Sequence, residues 1–119
     1  MLKFHLIDSQ VVAELTDDKF IICHAQDVLD LMGDLGLKNC NRIILYERNL
    51  LKDFFILQTG IAGEILQKFS NYRFKLAIVG DFSGYKSNSL QDFIRESNKG
   101  NTVFFVDNFD KALSRLKGK

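Results

Sequence analysis

An unbroken apolar run in the middle of the chain, Leu76–Val79, constrains the fold more than any other stretch. A strand that is apolar at every position is typical of a parallel sheet with both faces covered. The run ends at Gly80 and Asp81, and a polar loop over residues 81–87 follows it. Ligands of open α/β sheets bind outside the carboxyl ends of the strands. The loop therefore occupies a position where such proteins place functional residues.

The residues before this strand predict an amphipathic helix. Apolar side chains recur there at the spacings of a single helical stripe, and the opposite side of the helix is polar. The stripe consists of Ile61, Ala62, Ile65, Leu66 and Phe69. A helix followed at once by a buried strand is the repeating unit of an α/β fold.

Further elements are predicted on both sides of this unit. Two short runs, Lys3–Ile7 and Val11–Thr16, are too close for a crossover helix between them and should pair antiparallel as a hairpin. A short extended piece is predicted at residues 20–22. A helix with Val28, Leu31, Met32 and Leu35 inward is predicted to end at Gly33 or Gly36, and a strand at Arg42–Tyr46 follows it. A further helix is predicted to begin with a capping box of Ser89 and Asp92 and to end near Gly100. The last two elements are a strand at Thr102–Val106 and a helix that is capped by Asp107 or Asn108, with Ala112, Leu113 and Leu116 inward.

The order of these elements predicts the fold class. A hairpin followed by alternating helices and strands implies an α/β fold with a mixed, mostly parallel sheet of about five strands and about four helices packed on it. A chain of 119 residues is expected to form one domain, residues 1–119. The connection over residues 47–55 is expected to be irregular or partly helical, with one of Phe54 and Phe55 inside and the other outside.

Composition excludes several classes of function. The formal net charge of +1 gives no general attraction to nucleic acid or to a membrane surface. No apolar run approaches the roughly 20 residues of a membrane span, and the first residues lack the apolar segment of a signal peptide. Cys23 and Cys40 are expected to be reduced thiols, so the predicted location is the cytoplasm.

Strong catalytic or metal-binding signatures are absent from the sequence. His5, Cys23, His24 and Cys40 lack the close spacings of a zinc site, and His5 is expected to face water from its strand. Glycine-rich phosphate loops and a nucleophile elbow are also missing. We therefore predict no catalytic residue, no metal and no cofactor.

Thr59 and Gly60 form the first candidate site. They lie at or near a predicted helix N-terminus, where backbone N–H groups and the helix dipole favour an anion or a phosphate. A threonine hydroxyl there could also be phosphorylated, which would add about 1.5 to 2 negative charges. The alternative is that Thr59 is a helix N-cap with no further role.

The loop after the buried strand is the second candidate site. Asp81, Ser83 and Tyr85 place several hydrogen-bonding groups within a few residues, and functional residues often lie on such loops. In this interpretation the segment Asp81–Lys86 binds a small ligand. The alternative is that the same residues form a turn and a helix cap.

The residues of the first site also suggest a family. Residues 55–62, Phe-Ile-Leu-Gln-Thr-Gly-Ile-Ala, resemble the motif after the third strand of the STAS domain, the fold of bacterial anti-sigma-factor antagonists. In this resemblance Thr59 matches the hydroxyl residue that a partner kinase phosphorylates, and Gly60 the glycine after it. Leu57 and Gln58 stand where that family has Asp and usually Ser. The resemblance implies a STAS-like fold and a regulatory role through protein–protein contacts.

A second resemblance extends over almost the whole chain. Residues 59–69 and residues 76–85 look like those of a family of small bacterial proteins that is known only as a domain of unknown function. This resemblance implies a fold and a bacterial source, and no reaction.

Two functional hypotheses follow. The first is a non-enzymatic, STAS-like module that binds an unidentified protein through the surface around Thr59 and Asp81. The second is a small-ligand-binding protein or weak enzyme that uses Asp81 and Tyr85. They differ in shape, because a ligand site needs a pocket whereas an interaction module needs only a face. A homodimer through the exposed edge of the N-terminal hairpin is a further expectation.

Overall fold

The computed structural model describes residues 2–117 and contains one five-stranded sheet. The strands lie side by side in chain order, with the first pair antiparallel and every later pair parallel. They are β1 (Leu2–Ile7), β2 (Gln10–Leu15), β3 (Arg42–Tyr46), β4 (Lys75–Val79) and β5 (Val103–Val106). The predicted α/β fold, with its hairpin and its mostly parallel sheet, is confirmed.

Four helices cover the sheet, and they are α1 (Ala25–Gly36), α2 (Ile61–Asn71), α3 (Asn88–Lys99) and α4 (Phe109–Leu116). The first three pack on one face, and α4 packs on the other. Alternate residues of β4 point to the two faces, so Leu76 and Ile78 contact the three-helix core while Ala77 and Val79 contact α4. The apolar run in this strand is therefore explained by helices on both sides.

The hairpin turn is built from two residues with left-handed backbone. Asp8 has φ 49° and Ser9 has φ 68°. Two successive positive φ values are the signature of the two-residue turn whose twist matches that of antiparallel strands. The turn sets Ile7 opposite Gln10 and fixes the pairing of β1 with β2.

The N-terminal cap of α3 differs from the prediction. The helix begins at Asn88, and the Oγ of Ser87, not that of Ser89, accepts a hydrogen bond of 3.1 Å from the backbone N–H of Leu90. Either serine has a side chain suited to capping, and the path of the preceding loop decides between them. For α4 the cap is Asn108, one of the two predicted candidates.

One prediction for the connecting segments is confirmed at a single residue, and another was wrong. The predicted extended piece at residues 20–22 is a single bridge between Ile22 and Leu50. Phe54 and Phe55 are both buried. They lie in a 3₁₀ turn, Lys52–Phe55, where successive side chains are about 120° apart, so both can point into the core.

Within residues 2–117, the structure has no helix of the length and apolarity that crossing a bilayer requires.

Candidate functional site

A cleft of about 730 Å³ opens at the edge of the sheet where the parallel strands have their carboxyl ends. Its walls come from the segment that follows β3 and from the loop that follows β4. The lining consists of the apolar Ile21, Leu50, Leu51 and Phe55, the charged Glu47, Arg48, Lys52 and Asp53, and Tyr85. The position is the one that the sequence predicts for ligands of an α/β sheet.

A stack of aromatic rings joins the two walls of the cleft. Tyr85 lies on Phe55 with ring centroids 5.0 Å apart and an interplanar angle of 20°. Phe82 contacts both rings from the side of the loop, with centroids 5.9 Å from Phe55 and 6.5 Å from Tyr85. Phe55 thus gives the loop after β4 an aromatic surface to pack on.

Glu47 joins the two walls. Its Oε2 accepts a hydrogen bond of 2.5 Å from the Tyr85 hydroxyl, and its Oε1 accepts one of 3.3 Å from the backbone N–H of Asp81. Gly80 packs directly against it, since a Cβ on Gly80 would lie 2.7 Å from the Cβ of Glu47. Burial, together with the hydrogen bond and the negative charge of Glu47, raises the pKa of Tyr85. This tyrosine therefore stays a neutral donor across the physiological range.

Asn49 fixes the opposite rim of the cleft. It is fully buried, and its amide nitrogen donates to the backbone carbonyls of Asp17 and Phe20, each at 3.0 Å. Its Oδ1 accepts from the backbone N–H of Tyr46 at 2.9 Å. One buried amide thus holds the segment that carries Ile21 against the end of β3.

The residues predicted in the Asp81–Lys86 loop separate in the structure. Asp81 and Ser83 form a local turn in which Oδ1 of Asp81 accepts from the backbone N–H of Ser83 at 3.1 Å and from its hydroxyl at 2.6 Å. These hydrogen bonds lower the pKa of Asp81. Both residues line a smaller depression of about 350 Å³ beside β5, whereas Tyr85 lines the main cleft.

Thr59 and Gly60 lie at the start of α2, as predicted. Gly60 is the residue before the helix and has φ 79°, a conformation that favours glycine. The exposed Thr59 hydroxyl is 2.8 Å from the carbonyl of Asp53 and 2.9 Å from that of Ile56, and its oxygen accepts from the N–H of Ile61 at 3.2 Å. Because Asp53 lines the cleft together with Tyr85, Thr59 lies beside this cleft.

A polar cluster on the α4 face of the sheet was not predicted. His5 donates from Nε2 to Oε1 of Glu14 at 2.9 Å, and the Tyr46 hydroxyl donates to Oε2 of the same carboxylate at 2.5 Å. Arg48 lies over the Tyr46 ring at 4.5 Å, and Phe109 contacts the His5 ring at 5.1 Å. The prediction that His5 faces water was wrong, because α4 and Glu14 cover it.

The pKa values of Glu14 and Tyr46 in this cluster shift in opposite directions. Burial favours the neutral form of Glu14, but hydrogen bonds from Tyr46 and His5 and the charges of His5 and Lys3 outweigh it, so the net pKa is lowered. Burial and the Glu14 carboxylate raise the pKa of Tyr46 to about 12. The sequence signal for this cluster is the alternation of β1 and β2, which puts His5 and Glu14 on one face of the sheet, but their meeting depends on the strand register.

Among residues 2–117, no group of three or more His, Cys, Asp and Glu side chains is arranged to hold a metal ion. Cys40 is buried and Cys23 is partly buried, and neither is in a disulfide.

The fold and the cleft define a small α/β domain with a candidate site at the carboxyl edge of its sheet. The chain belongs to the family described as Domain of unknown function (DUF4180), whose family model matches residues 7–116. No curated protein and no solved structure matches the chain.

Proposed function

We propose that this protein is a bacterial, cytoplasmic, STAS-like module that regulates a partner protein by binding it at the carboxyl edge of the sheet, and that residues 1–119 act as one non-enzymatic domain. The observation that carries the proposal is the position of Thr59 beside the cleft. Thr59 is exposed at the start of α2 and is bonded to Asp53, which lines the apolar cleft.

The surface around the cleft has the composition of a protein interface. Apolar side chains remain exposed there, since Ile21 is 41% exposed and Ile56, next to the Phe54–Phe55 pair, is 50% exposed. Lys52 and Asp53 place opposite charges beside them. An apolar centre with a polar margin is the usual anatomy of a binding face. A partner would bury the apolar side chains and pair with the charged ones.

Thr59 is the residue through which binding is regulated in this proposal. Its hydroxyl is accessible, yet it also holds the turn before α2 by bonding to Asp53 and Ile56. A phosphate on this hydroxyl would displace those bonds and place about two negative charges between the helix N-terminus and the cleft. Modification would therefore change both the charge and the shape of the proposed binding face.

Quantitative affinity capture from the host tests the proposal. Wild-type protein, Thr59→Glu and the control Ser70→Glu are compared, since Ser70 is exposed in the last turn of α2 at the other end of the helix. We expect a partner whose recovery falls at least about tenfold with Thr59→Glu and stays at the wild-type level with Ser70→Glu. Equal recovery with both variants, or no partner above background, would refute the role of Thr59.

A small ligand in the cleft is the second candidate function, favoured by the cleft's size and lining. A volume of about 730 Å³ lies within the range of small-molecule sites. Tyr85 and Phe55 offer an aromatic wall, and Glu47 and Lys52 offer charged groups of both signs. Native mass spectrometry of the protein purified from its host would detect a retained molecule. Binding should be weakened by Tyr85→Ala and unaffected by Asp81→Asn, because Asp81 does not line this cleft.

A further inference from the structure

Strand β1 forms one edge of the sheet. Its inner side pairs with β2 over all six residues, and no strand among residues 2–117 pairs with its outer side. An unpaired edge presents backbone N–H and C=O groups that a further strand can bond. The outer side of β1 is therefore a place where the sheet can be extended.

The hairpin turn determines which residues present those groups. A two-residue turn makes its flanking residues, Ile7 and Gln10, a hydrogen-bonded pair, and such pairs alternate along antiparallel strands with pairs that are not bonded. His5 and Lys3 consequently bond inward to β2. Leu2, Phe4 and Leu6 direct their backbone N–H and C=O groups outward.

The same three residues place their side chains on the α1 face of the sheet. Phe4 is 39% exposed and Leu6 is 73% exposed. Leu2 and Phe4 also line a second cleft, of about 620 Å³, between β1 and α1. The edge thus combines outward backbone groups with an apolar stripe that water contacts.

We propose that β1 pairs antiparallel with β1 of a second copy of this chain, with Phe4 opposite Phe4 and Leu2 opposite Leu6. The order Leu2, Phe4, Leu6 is symmetric about Phe4, which is what a two-fold interface requires. This register joins all three outward-facing residues of each strand, so roughly six backbone hydrogen bonds form. The two sheets become one continuous ten-stranded sheet, by doubling of the five strands of one copy.

On the opposite face, the same register brings polar side chains of the two copies together. Lys3 of one copy lies across from His5 of the other, and the Glu14 carboxylate already interacts with both Lys3 and His5 of its own chain. Each pair of basic side chains therefore has a carboxylate beside it. A foreign strand would satisfy the backbone groups but would match the apolar order only if its sequence were similar.

Sedimentation velocity over a range of concentrations tests the proposal on the full chain. We expect wild-type protein to dimerise, and Phe4→Lys to weaken the dimer at least about tenfold because it places two cations opposite each other in the apolar stripe. The control Tyr72→Lys, which removes another exposed aromatic residue far along the chain, should dimerise like wild type. A monomer at every concentration, or a dimer that Phe4→Lys leaves intact, would overturn the proposal.

Leu6→Pro separates strand pairing from a general apolar contact. Proline at this position removes an outward N–H while leaving the bonds from β1 to β2, and prolines are tolerated on edge strands. Circular dichroism confirms that the variant is folded before sedimentation is measured. Loss of the dimer in folded Leu6→Pro supports pairing through β1, and a dimer of wild-type strength contradicts it.

Discussion

The hydroxyl of Tyr85 donates a hydrogen bond of 2.5 Å to Oε2 of Glu47, so the loop after β4 is tied to the segment after β3 across the proposed binding cleft. The two residues are 38 positions apart in the sequence and meet only because β3 and β4 are adjacent parallel strands. Both line the cleft. This hydrogen bond acts together with the bond from the Asp81 N–H to Glu47 and the stacking of Tyr85 on Phe55, which join the same two walls.

Removing this contact should destabilise the protein and loosen the cleft. Tyr85→Phe keeps the ring on Phe55 but loses the bond to Glu47, and we expect a loss of about 1 to 2 kcal/mol in the free energy of unfolding. Urea unfolding measures it. Tyr72→Phe is the matched control, because Tyr72 is exposed and should change stability by less than about 0.5 kcal/mol. Equal stability of Tyr85→Phe and the wild type would contradict the structural role of the bond.

Stability at alkaline pH should depend on Tyr46. Its pKa is raised from 10.0 to about 12 in the folded protein, so the neutral form contributes stability that is complete below pH 10 and is lost as pH rises towards 12. We expect the free energy of unfolding to fall over this interval, and to fall less steeply in Tyr46→Phe. Denaturant unfolding in a series of alkaline buffers measures the slopes. Identical slopes for the two proteins would show that Tyr46 is not the group responsible.

Asn49→Ala should be among the most damaging single substitutions of a polar residue. It leaves the carbonyls of Asp17 and Phe20 and the N–H of Tyr46 without their present bonds. A typical hydrogen bond contributes about 0.5 to 1.5 kcal/mol and three are lost, so we expect a loss of about 2 kcal/mol or more. The exposed Asn101→Ala is the control in the same unfolding experiment. A loss below about 1 kcal/mol would contradict the account of this rim.

The cap of α3 can be tested with two neighbouring serines. Ser87→Ala should cost about 1 kcal/mol, because it removes the acceptor of the Leu90 N–H. Ser89→Ala should change stability by less than about 0.5 kcal/mol, since Ser89 is exposed within the helix. Thermal unfolding of the two variants compares them directly. The reverse order of stabilities would restore Ser89 as the cap.

Local patterns were enough to predict most of the fold. The bounds Arg42–Tyr46 agree with β3, and Leu76–Val79 lacks only the first residue of β4. These strands are buried on both faces, so every position carries the signal. The pattern is less decisive where either of two residues could play the same structural role. Ser87 and Ser89 are such a case, because only the loop before α3 determines which hydroxyl reaches the helix end.

The candidate site was predicted less completely than the fold. Sequence position suggested Thr59 from the N-terminus of a predicted helix and Tyr85 from the loop after a predicted strand, and the roles of both stay predictions. Glu47 and Asn49 were missed because their roles arise from contacts with the loop after β4 and with residues 17–20, far away in the chain. His5 was misplaced for the same reason, because the pairing register and α4 decide its surroundings. Long-range contacts of this kind have no local pattern.

Site-specific photo-crosslinking in the host tests the central proposal most directly. A photoreactive amino acid is placed at Lys52, which is exposed and lines the cleft. The comparison position is Tyr72, which is exposed and lies between α2 and β4, near the amino ends of the strands. We predict a crosslink to one specific protein from position 52 and none to that protein from position 72. Crosslinks of equal yield from both positions, crosslinks from position 72 alone, or none from position 52 would contradict binding at the carboxyl edge.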